Sequence, residues 1–242
     1  MPQGLFLDLD DTILDDSGSA VAFWREACVT HAQGRGDVDA DTLAAAIERV
    51  RAWYWADVDR HREGRLDLAV ARREVAALAL RELDIENDDL ATKIGASYGA
   101  LREARIRPID GAIETVRWLR ERGLKLALLT NGNAEGQRKK ITQFQLAAHF
   151  EIVLIEGELG FGKPDPRVYQ RALDALRTSP RDTWMVGDNL EWDVAAPQRL
   201  GITGIWIDRH GDRVPEHRDV RPDHVIRSLS DLRTLGENPR RS

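Results

Sequence analysis

Apolar runs of strand length recur along the chain, at Leu5–Leu9, Leu124–Leu129, Ile152–Ile155, Trp184–Val186, Gly204–Ile207 and, more weakly, His224–Ile226. They alternate poorly, as strands do when both faces of a parallel sheet are covered. Helical patterns lie between them. Over residues 110–123, Ile113, Val116 and Leu119 share a face; Asp110 is placed to cap the start and Gly123 to stop the helix. Over 165–176, Pro166 takes the first helical position, with Val168, Ala172 and Leu176 in register. Alternating strands and helices from 110 to 226 predict right-handed βαβ units and an open α/β sheet.

Residues 16–105 contain no convincing strand and read as four helices, separated by Gly34, Gly36, Gly64 and the residues 85–88. Short links predict a helical bundle. Because the first strand belongs with the later sheet, the bundle is an insertion. The expected division is a core of 1–15 and 106–242 and an inserted unit of 16–105.

Composition narrows the classes. The chain has 242 residues, 42% of them hydrophobic, and a net charge of −6 from 35 Lys+Arg and 41 Asp+Glu. That mild acidity argues against a nucleic-acid polymer as partner but leaves room for a small phosphorylated ligand. Cys28 is the only cysteine, so no internal disulfide forms. No run approaches the roughly 18 residues of a membrane span, and no basic leader precedes Leu5. The expectation is a cytoplasmic monomer or homodimer with no membrane partner.

Ligands of open α/β sheets bind beyond the carboxyl ends of the strands, and four segments there carry useful residues. Asp8 and Asp10 would face one side if the first strand continued past Leu9. Two close carboxylates repel unless a cation neutralises them, and hard Mg²⁺ suits oxygen ligands. A strand ending in a solvated turn is the alternative. Thr130 and Asn131 follow the second run; their hydroxyl and backbone amides can hold a phosphate oxygen, although Asn-Gly is also a common turn. Lys163 sits between a glycine-containing loop and the proline-started helix, placed either to neutralise developing negative charge or simply on a surface. Asp188 follows Gly187 and is available to the same cation as Asp8. Asp193, five positions on, can orient Asp188 or Lys163, or cap a helix.

The order of these segments (Asp8-Leu9-Asp10-Asp11-Thr12, Thr130-Asn131-Gly132, Lys163-Pro164, and Gly187-Asp188 with Asp193) resembles the four motifs of the haloacid dehalogenase (HAD) superfamily. The likeness covers about residues 3–14 and 108–210, and the inserted helices resemble that family's cap. "LLTNGNAEGQRKKI", "GKPDP" and "VGDNLEWDV" are similar to the subgroup that includes N-acylneuraminate-9-phosphatase and pyrimidine 5′-nucleotidases. One departure is Pro197, which interrupts the helix expected after Asp193.

The resemblance implies a Rossmann-like core with helices on both faces and a Mg²⁺-dependent phosphatase acting on a sugar phosphate or nucleoside monophosphate. Asp8 would be the nucleophile, Asp10 the acid–base, and Lys163 the neutralising cation. Thr130, Asn131, Lys163 and Asp8 would hold the phosphate. Mg²⁺ would take carboxylate oxygens of Asp8 and Asp188 and the backbone carbonyl of Asp10, with Thr12 and Asp193 in support. Within the inserted helices, Trp53, Trp55 and Arg65 are candidates to select the substrate, against the alternative that they pack or are solvated. The rival readings are a phosphomutase, a 2-haloacid dehalogenase, and a non-catalytic binding protein. Dehalogenases of the family lack an aspartate at the position of Asp10. Phosphonate hydrolysis would need a Schiff-base lysine, and Lys93 is the only lysine in 16–105.

Overall fold

The computed structural model describes residues 2–16, 18, 20–32, 38–209, 211 and 220–235. The chain divides into two compact units, Met1–Asp15 with Arg107–Ser242, and Asp16–Ile106.

The first unit is built on a six-stranded, all-parallel sheet of β1 (Gly4–Leu7), β4 (Lys125–Thr130), β5 (Ile152–Ile155), β6 (Thr183–Gly187), β7 (Thr203–Ile207) and β8 (His224–Ile226), in the order β5-β4-β1-β6-β7-β8. The short strands β2 (Leu14–Asp15) and β3 (Arg107–Pro108) pair antiparallel apart from it. The chain winds outward from β1 through β4 to β5, then returns to the other side of β1 with β6. This is the order of a Rossmann-like sheet, whose switch point at the end of β1 opens a crevice for ligands. The helix Pro166–Leu176 buries Val168, Tyr169, Ala172, Leu173 and Leu176 in one stripe against Phe6, Leu129 and Met185. Each large side chain so buried contributes about 1.5–3 kcal/mol.

Local details depart from the pattern. The helix after β3 is Ala112–Glu121, and its N-cap is Gly111 at φ +75°, not Asp110, which is exposed. A left-handed turn suits glycine there, and it carries Asp110 clear of the first turn's amides. β1 ends at Leu7, before either aspartate. Ile13 and Leu14 both donate to the Leu9 carbonyl, and Asp11 takes φ +58°. The chain therefore turns at once, and period two does not apply to Asp8 and Asp10. Pro197 is accommodated because a wide π-helical turn, Leu190–Ala195, precedes it and places it at the start of the helix Ala196–Gln198, where no amide hydrogen is needed.

Among its described residues the second unit has five helices rather than four: α1 (Ala20–Ala32), α2 (Ala40–Ala56), α3 (Val58–Leu66), α4 (Leu68–Arg81) and α5 (Asp88–Arg105). Asp39, Asp57, Asp67 and Asn87 cap α2 to α5, each accepting from an amide three residues on, worth about 1 kcal/mol apiece. The extra break falls at Asp57, in extended conformation, which closes α2 and caps α3. Gly64 is no separator. It lies buried inside α3, where an added Cβ would meet Tyr54 Cε1 at 3.0 Å and Trp55 Cη2 at 3.1 Å. Gly34 and Gly36 lie outside the described residues. The core of this unit joins Trp24, Leu43, Ile47, Val75, Leu80, Leu90 and Ile94. Cys28 lies in it, and burial pushes its thiol up to about 12. Among the described residues no helix is long and apolar enough to cross a membrane.

Candidate active site

Three adjacent strands place the candidate residues. Asp8 follows β1 and continues the ladder, its amide donating to the Val186 carbonyl at 3.0 Å. Thr130 ends β4, and Asp188 follows β6. Lys163 comes from the loop beyond the short helix Glu156–Leu159 rather than from a strand end.

Lys163 is the keystone. Only 2% exposed, its Nζ donates to Asp8 Oδ1 and Asp193 Oδ1, both at 2.7 Å. Its backbone is clasped by Asn131, whose Oδ1 accepts from the Lys163 amide at 2.8 Å and whose Nδ2 donates to the Lys163 carbonyl at 2.6 Å. The Lys163–Pro164 peptide is cis. Burial pulls the lysine's pKa down, but the charges of Asp193 and Asp8 more than offset this, so it stands above its ordinary value. The ammonium form is therefore favoured.

Asp193 is wholly buried. Its other oxygen, Oδ2, accepts from the Asn189 amide at 3.0 Å. It holds Lys163 and does not cap the helix, since Asn189 does that by accepting from the amides of Glu191 and Trp192. Gly187 makes room for it: a Cβ there would overlap the Asp193 carboxylate.

The carboxylates of Asp8, Asp188 and Asp193 each offer an oxygen within 4.8 Å of the others. Burial, with a further contribution from Asp193, raises Asp8's pKa even against Lys163. Burial and the neighbouring Asp8 charge raise Asp188 in turn. Both oxygens of Asp193 are engaged, whereas the Asp188 carboxylate has no hydrogen bond or ion pair among the described residues. Three carboxylates grouped with the Lys163 ammonium leave negative charge in excess at the end of two neighbouring strands, which fits a hard divalent ion held by Asp8 and Asp188. Thr12 donates to Asp8 Oδ2 at 3.3 Å.

A stability prediction follows. Two carboxyls with raised folded pKa keep protons that the unfolded chain releases. Between the ordinary carboxylate value near 4 and the raised values, the metal-free protein therefore loses stability as pH rises, and regains it as pH falls. Thermal melts in EDTA from pH 5 to pH 8 are expected to show a declining Tm. Saturating Mg²⁺ should abolish the decline, and a rising metal-free Tm would contradict the assignment.

Asp10 is held apart from this cluster. Its Oδ1 accepts from Lys140 Nζ and its Oδ2 from Gln137 Nε2, both at 2.8 Å. Gln137 Nε2 also lies 2.8 Å from Thr130 Oγ1 and 2.7 Å from the Asn131 carbonyl, tying two motifs together. The Thr130 hydroxyl thus meets Gln137, and the Asn131 side chain serves Lys163. Gln137 and the buried Glu156, which accepts from the Gly132 amide at 3.0 Å, escaped the sequence reading. The available signal was position: Gln137 and Lys140 lie three apart on the helix Ala134–Gln143 that follows β4.

The candidates on the inserted helices scatter. Trp53 is 54% exposed, with the Arg60 guanidinium 3.7 Å over its ring. Tyr54 is buried and donates to Glu74 at 2.9 Å. Trp55 and Arg65 instead line a cavity within the second unit. Lys93 donates to Asp89 at 2.6 Å on an exposed face of α5.

Comparison with known proteins gives the family and the fold. The family described as haloacid dehalogenase-like hydrolase matches residues 2–201. A phosphoserine phosphatase of Thermus thermophilus is 46% identical over 94% of this chain and 96% of its own. An N-acylneuraminate-9-phosphatase of Mus musculus is 24% identical over 96% and 93%. A HAD hydrolase of Bacillus subtilis, crystallised with magnesium, shares the fold at a TM-score of 0.74 and 23% identity, over 97% of this chain and 98% of that one.

Proposed function

This chain belongs to the haloacid dehalogenase-like hydrolases, and on that footing we propose that it is a Mg²⁺-dependent phosphoric monoester hydrolase working through an aspartyl-phosphate on Asp8. The observation that carries the reading is the buried Asp8 carboxylate at the sheet's switch point, with Lys163 bonded to one oxygen and the uncompensated Asp188 beside it.

Asp8 attacks phosphorus with a carboxylate oxygen as the leaving alkoxide departs. Lys163, fixed by Asp193, offsets the negative charge where the two anions meet. When bound, Mg²⁺ supplies further neutralisation and orients the phosphoryl group, held by Asp8, Asp188 and the backbone carbonyl of Asp10. Asp10 donates a proton to the leaving oxygen and then accepts one from the water that cleaves the acyl-phosphate. Gln137 and Lys140 aim its carboxyl. The amides of the loop after β4 support the phosphoryl oxygens. We assign the inserted unit the role of cap, and the substrate to the small phosphorylated metabolites. The Thermus relative's name adds a phosphorylated hydroxy amino acid to the sugar-phosphate class.

Replacing Asp10 with asparagine tests the acid–base role. The kcat for alkyl phosphates should fall by about 10²–10⁴, while Mg²⁺ affinity by calorimetry stays near wild type. Wild-type turnover in this variant would remove Asp10 from the mechanism.

A further inference from the structure

The second unit carries an open-mouthed cavity of about 320 Å³ whose charged lining consists of Arg51, Arg65, Arg72 and Arg102, with no acidic residue among those that line it. Two of these cations are matched: Arg51 pairs with Glu48 at 2.7 Å, and Arg102 pairs with Asp16. Arg65 Nη1 lies 3.1 Å from His61 Nδ1.

Arg72 differs. It forms no hydrogen bond or ion pair among the described residues, and its buried Nε has no partner. The buried Nε of Arg51 and the indole Nε1 of Trp24, on the same cavity, also lack partners. Such donors are costly to bury unless something accepts from them. Burial and the like charge of Arg102 hold Arg72 below its ordinary pKa. The fold nevertheless makes space for this side chain. Gly95 lets α5 approach the α4 backbone, where a Cβ would come within 3.0 Å of the Arg73 amide nitrogen. Four residues on, a Cβ at Gly99 would sit 2.5 Å from Arg72 Nη1. The guanidinium lies 5.5 Å from the centre of the Tyr98 ring, which stacks on Trp24 at 4.0 Å.

We propose that this cavity binds the carboxylate of a small organic molecule, with Arg72 as its principal partner and the Trp24–Tyr98 stack as one wall. A planar guanidinium fork matches a carboxylate through two parallel hydrogen bonds, and the volume admits a small molecule rather than a polymer.

Calorimetry on the full chain tests this: malonate is titrated into metal-free wild type, Arg72→Gln and Gly99→Ala. Wild type should bind malonate, and both variants should weaken the binding by about 10-fold or more. Gly99→Ala keeps the charge while displacing the guanidinium, so agreement of the two variants, each with a wild-type far-UV spectrum and a cooperative melt, separates recognition from misfolding. Malonate binding that is absent, or equal in all three proteins, overturns the cavity proposal.

Discussion

Asp8→Asn is expected to lower kcat for phosphate release by about 10⁴-fold or more, the scale seen when a covalent nucleophile is removed. The substitution is nearly isosteric: an amide oxygen at the Oδ1 position still accepts from Lys163 Nζ, while the NH2 at the Oδ2 position donates to Thr12 Oγ1 instead of accepting from it. Asp193 continues to hold the lysine. The fold should therefore survive, with a metal-free Tm equal to or above wild type, because one buried acid with a raised pKa has been removed. Loss of activity without loss of stability separates chemistry from scaffolding. Retention of more than a tenth of the wild-type kcat would show that some other group attacks phosphorus.

Lys163→Met should have the second largest effect, and on both quantities. It leaves Asp8 and Asp193 facing each other in a nearly dry site without their shared cation. Breaking a buried ion pair by removing one partner costs about 3–5 kcal/mol. Losing the positive charge beside the attacking oxygen should lower kcat/KM by about 10²–10³ or more. Asp8 would rise further in pKa, so activity that remains should shift to higher pH. Urea melts at pH 7 and a pH–rate profile check both parts. A variant as stable and as active as wild type would mean that the lysine is incidental.

How far the chain could be read in advance depended on how local each determinant was. Lys125–Thr130 and Thr183–Gly187 fall within a residue of where the apolar runs place them, because burial on both faces leaves little besides apolar residues in a central strand. Asp8, Lys163, Asp188 and Asp193 do converge on one end of the sheet. What stayed hidden was set by backbone turns and tertiary partners. Asp57 breaks what reads as one continuous helix over 41–61, because one residue both ends α2 and caps α3. Gly64 reads as punctuation but permits close packing of aromatic rings. Gln137 belongs to no chemical motif, and its role as the tie between Asp10 and Thr130 exists only once β1 and β4 lie side by side. Arg72 is one arginine among many until α4 and α5 pack and leave its buried Nε without a hydrogen-bond partner.

The most direct test is to mix the enzyme with Mg²⁺ and a radiolabelled phosphate ester, quench in acid within the first turnover, and locate the label by peptide mapping. The account predicts a phosphoryl group on Asp8, present with Mg²⁺, absent in EDTA and absent in Asp8→Asn. Steady release of phosphate with no label on the protein at any time, or label on a residue other than Asp8, would contradict it.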